Sequence, residues 1–105
     1  VLVVGGDGDE GPRLLARAHR IVHDRLGEWH PLTLRFAVDE AAGLMAAGQV
    51  EDGLHRTMVA IGRMRAELGS THPELRLAAE FARDEVLYHR PEAPELALLQ
   101  ALAGP

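Results

Sequence analysis

From Pro12 to Leu26 the apolar residues Leu15, Ala18, Val22 and Leu26 recur three and four apart, and Leu14 and Ile21 widen the stripe. That spacing predicts one amphipathic helix over 12–26. A second stripe runs through Leu34, Ala37, Val38, Ala41, Leu44 and Met45, from Pro31 to Ala47. A third runs through Leu54, Met58, Ile61, Met64 and Leu68, from Val50 to Leu68. Only Gly48 and Gln49 separate these two, which predicts a tight antiparallel hairpin over 31–68. Leu75, Ala78, Ala79, Ala82 and Val86 predict a fourth helix from Pro73 to about His89. A short fifth one, Ala93 to Ala103, is expected to complete a final hairpin over 73–103 and to cap it.

The punctuation between these stripes repeats. Leu26-Gly27-Glu28-Trp29-His30-Pro31 and Leu68-Gly69-Ser70-Thr71-His72-Pro73 share the frame Leu-Gly-x-x-His-Pro and lie 42 positions apart. The same shift superposes Leu2 on Leu44, Gly6 on Gly48, Gly11 on Gly53, Ala18 on Ala60, Ala37 on Ala79 and Leu54 on Leu96, and sets Asp9-Glu10 over Glu51-Asp52. Self-similarity at such a period marks a stacked array, in which each unit buries its apolar face against the next. The matching positions are small or apolar, as close helix contacts and tight turns require. In this frame 1–11 reads as the end of a preceding helix and a turn, so the chain is expected to be one segment, 1–105, of a longer array.

Composition narrows the function classes. The chain is 47% hydrophobic but only 4% aromatic, and it is rich in Ala, Leu, Arg and Glu, which favour helix. A net charge of -5 argues against a general nucleic-acid binder, which needs a basic surface to displace counterions. Arginine without any lysine suggests a GC-rich bacterial genome. With no cysteine there is no disulfide framework and no thiolate metal site, which permits a cytoplasmic location. No apolar run approaches the length of a membrane span. No acid and base share a spacing that fixes a catalytic geometry, so neither an enzyme nor a cofactor is expected.

The 42-residue unit with Leu-Gly-x-x-His-Pro in its turn resembles the tetratricopeptide repeats of the kinesin-light-chain type, over nearly the whole chain. Thr33 fits the Thr that follows His-Pro in that family, Ala41 and Ala60 the small residues of the two helices, Gly48 the hairpin glycine, and Glu51-Asp52 the acidic pair. The resemblance implies an all-α, right-handed superhelical stack of antiparallel hairpins that presents a concave groove to a protein or peptide partner. It also suggests the C-terminal repeat region of a larger bacterial regulator, without direct contact to nucleic acid or membrane. The family's paired asparagines in the first helix are replaced here by Val38-Asp39 and Glu80-Phe81. Arg35, Asp39, Arg76, Phe81 and Asp84, on the first helices of successive units, form the candidate partner surface.

Other readings compete. Val1-Leu2-Val3-Val4 followed by Gly6-Asp7-Gly8-Asp9-Glu10-Gly11 matches a strand and the dinucleotide fingerprint, but three acids would face the pyrophosphate in that loop. Leu2, Val3 and Val4 could instead form an apolar edge through which the chain self-associates into a homo-oligomer. His19 and His23, four apart with Asp24 nearby, could face one metal ion, although two such ligands do not make a site. Trp29, the only tryptophan, either anchors a partner or packs over its own turn beside Pro31.

Overall fold

Each helix stop in the sequence is met by a residue that can end a helix, and each start by one that can begin it. In the computed structural model, which describes residues 10–104, these signals delimit α1 (Glu10–Leu26), α2 (Pro31–Ala46), α3 (Val50–Leu68), α4 (Pro73–His89) and α5 (Leu96–Ala103). Among the described residues there is no strand. The two Leu-Gly-x-x-His-Pro segments fold alike. Gly27 and Gly69 leave their helices at φ of 96° and 89°, a left-handed turn that a side chain would strain. His30 and His72 then become N-caps in extended geometry, and Pro31 and Pro73 fill the first helical position, where no N–H is needed.

Two boundaries differ from the pattern. Glu10 and Gly11, expected in a turn before the helix, belong to α1, and Pro12 still falls in the first turn, which tolerates its missing N–H. The last helix begins at Leu96 rather than Ala93. The backbone between Arg90 and Leu96 is taken up by successive turns that Pro91 and Pro94 favour, with Ala93 N–H donating to the Arg90 carbonyl and Leu96 N–H to that of Ala93.

Packing runs between neighbours: α1 lies on α2, α2 pairs with α3, α5 lies on α4, and α2 and α4 touch each other while α3 contacts both. The result measures 39 × 37 × 20 Å, about two helix diameters through its thin direction. A single core joins α2 to α5 through Val38, Met45, Ile61, Met64, Leu75, Ala82, Val86 and Leu99. Gly53 makes this approach close. A Cβ there would lie 2.8 Å from the Met45 amide nitrogen and 3.0 Å from the Ala41 carbonyl oxygen, so only glycine lets α3 sit this near α2. None of the described helices is long and apolar enough to cross a membrane.

Candidate functional site

Because α2 and α4 lie side by side, their outer stripes form one surface, and three of the five candidate residues meet there. Arg35 and Asp39 of α2 and Phe81 of α4 line a shared cavity of about 320 Å³, together with Leu15, Gly43 and Glu85. Arg35 is the bridge. Its guanidinium lies 3.6 Å from Asp39 one turn on and 3.4 Å from Glu74 at the start of α4. The Arg35 Nε is buried without a hydrogen-bond partner, so the fork is not saturated by the protein. Burial pushes the Asp39 carboxyl above its ordinary value, and the neighbouring Arg35 only partly offsets that.

The other two candidates do not line that cavity. Arg76 donates from Nε to the Ala103 carbonyl at 3.1 Å and lies 3.8 Å from Glu80, which commits it to the C-terminal end of α5. Asp84 is exposed and accepts from Arg83 at 3.2 Å. Residues that the sequence reading passed over extend the surface instead. Leu77 and Tyr88 share a stripe of α4 with Phe81, at offsets of four and seven, and all three are exposed, Tyr88 by 83% and Phe81 by 37%. That spacing was readable in the sequence, but nothing in it told an outward stripe from a core stripe.

His19 and His23 do not converge on one point: His19 Nδ1 lies 2.9 Å from Glu40 on α2, and His23 Nδ1 lies 3.3 Å from its neighbour Asp24. Among the described residues no three His, Asp or Glu side chains are placed to hold a metal ion. Trp29 is half exposed, and the Arg63 guanidinium carbon of α3 stands 5.6 Å from its ring centroid, a cation–π contact across the turn. Most of the dinucleotide-like loop, and all of Val1 to Val4, lie outside the described residues; Gly11 is helical, and Asp39 sits within α2.

No protein-family model matches the chain, and no curated protein or solved structure does either.

Proposed function

We propose that this chain is a protein-interaction scaffold in which helix hairpins stack as in tetratricopeptide arrays, following a right-handed superhelix. On this reading it acts through shape and surface rather than catalysis, in the cytoplasm, as the repeat region of a larger bacterial regulatory protein. The face shared by α2 and α4 receives a short segment of a partner protein or of a neighbouring domain. The observation that carries the reading is the cavity in which Arg35 and Asp39 meet Phe81, flanked by the exposed Leu77 and Tyr88. An aromatic side chain beside an incompletely satisfied guanidinium offers an apolar anchor point and a polar register point, the two things an extended segment needs for specific docking.

Peptides selected from a displayed library against the chain test this. Phe81→Ala and Asp39→Arg should abolish capture, while Glu67→Arg, at an exposed position of α3, should leave it intact. Peptides that bind all three variants equally would remove the α2–α4 face from consideration.

A second reading, self-association, is favoured by one observation on α1. Leu14 and Ile21, with Gly11 and Ala18 between and before them, form a stripe at spacings of three and four, and the two large residues are exposed by 56% and 51%. Pairing through this stripe, rather than through Leu2 to Val4, predicts a dimer that Ile21→Glu dissolves in sedimentation. A monomer at high concentration would exclude it.

A further inference from the structure

The face of α2 turned away from the proposed groove is covered unevenly. Ala79, Ala82 and Val86 of α4 are completely buried, yet their counterparts one repeat earlier, Ala37, Glu40 and Leu44 of α2, remain partly open. The sequence explains the difference. Where α3 brings Met58, Ile61 and Met64, α1 brings Ala16, His19 and Val22, which are smaller or polar and cannot fill the same space. What remains is a cleft of about 520 Å³ floored by Leu34, Ala37, Ala41 and Leu44 of α2 and walled by α3 through Val59 and Ala60. That volume falls within the range of small-molecule sites.

Its rim is selective in charge. Glu40 is turned to His19 at 2.9 Å, and Asp52 pairs with Arg56 at 3.3 Å, so both acids on the rim already have partners. Arg63 pairs with no carboxylate among the described residues; its one contact is the ring of Trp29. His55 lines the same cleft more than two helical turns away, towards the start of α3. An apolar floor that runs up to a guanidinium without a carboxylate partner complements a molecule with an apolar tail and one anionic head.

We propose that this cleft binds a small apolar carboxylate, with the tail on the α2 floor and the carboxylate on Arg63 at the Trp29 end. The site is on a different face from the α2–α4 groove and does not depend on it. Decanoate, below the concentration at which it forms micelles, is a suitable probe, with decanol and decylammonium as controls. Calorimetry gives the affinity, and Trp29, the single tryptophan, reports the site by fluorescence because Arg63 stands over its ring. Decanoate should bind saturably at one site and change the Trp29 emission. Arg63→Gln should weaken it by about tenfold in calorimetry, since a charge-assisted contact is lost. Val59→Phe, at an exposed position on the α3 wall, should crowd the cleft and abolish binding while circular dichroism shows the helices intact. Equal affinity for decanol and decanoate, an unchanged affinity in Arg63→Gln, or no saturable binding by the parent chain would each overturn the proposal.

Discussion

His30 and His72 make the same bond one repeat apart: each imidazole Nδ1 accepts the backbone N–H two residues on, from Leu32 at 3.1 Å and from Glu74 at 3.0 Å. Around each, the His amide reaches back to the carbonyl of Gly27 or Gly69, and the His carbonyl accepts the first intrahelical bond from Leu34 or Arg76. The histidine of the repeated turn is therefore a helix cap, and the six-residue frame ends one helix and starts the next.

Removing either cap leaves an N–H at a helix start without its partner. His30→Ala and His72→Ala should each lower stability by about 1 kcal/mol, and asparagine at either position should restore most of the loss, because its short side-chain oxygen can accept the same bond. Urea unfolding of the four variants checks this. An alanine variant as stable as the parent would mean that the cap contributes nothing.

Gly11 and Gly53 occupy the same repeat position with opposite surroundings. A Cβ on Gly53 would strike the backbone of α2, whereas a Cβ on Gly11 would meet nothing within 4 Å. Gly53→Ala should destabilise the fold by about 1–3 kcal/mol through overpacking. Gly11→Ala, in a helix with open space around it, should stabilise by up to about 1 kcal/mol. Thermal melts of the pair should move in opposite directions, and a parallel shift would contradict the packing of α3 on α2.

Burial raises the Asp39 carboxyl in the folded state, with the nearby Arg35 charge acting the other way. The folded chain therefore holds this proton more tightly than the unfolded one. The stability so gained is fully present below the ordinary carboxylate value of about 3.9 and is lost as pH rises through the elevated folded value. Asp39→Asn should flatten this segment of the stability profile and be at least as stable as the parent at neutral pH, because Arg35 keeps Glu74 as a partner. A variant with an unchanged profile, or one clearly less stable at neutral pH, would show that the ionised carboxylate is favoured after all.

Arg76 illustrates how a surface charge can be structural. Its bond to the Ala103 carbonyl satisfies an acceptor at the end of α5, where a cation also suits the helix dipole. Arg76→Glu should detach α5, which amide exchange in 96–103 would report as faster, whereas Arg35→Glu should leave exchange there unchanged. Equal protection in both variants would argue against this cap.

The helix starts and stops were legible because they rest on local chemistry: a glycine that can turn left-handed, a proline that needs no N–H, and a polar side chain that can cap. Gly53 was also visible, as the repeat partner of Gly11, but its purpose was not, since the α2 backbone it admits is distant in sequence. The candidate surface was half legible. Asp39 and Phe81 share one register position of the first helices and Arg35 lies one turn before Asp39, while Arg76, which aligns with Leu34 in the repeat, is taken up by the end of α5. Leu77 and Tyr88 escaped notice because an exposed apolar stripe and a buried one have the same spacing. The cleft over Ala37 and Leu44 depends on what α1 fails to supply, and absence of bulk leaves no motif.

The central claim is that the α2–α4 face is where a partner is held, and the most direct test is a map of amide chemical-shift changes as a library-selected peptide is titrated into the chain. The account predicts that the largest changes cluster at Arg35, Asp39, Leu77, Phe81, Glu85 and Tyr88. Changes concentrated instead on α1, α3 or α5, with those six residues unmoved, would contradict it.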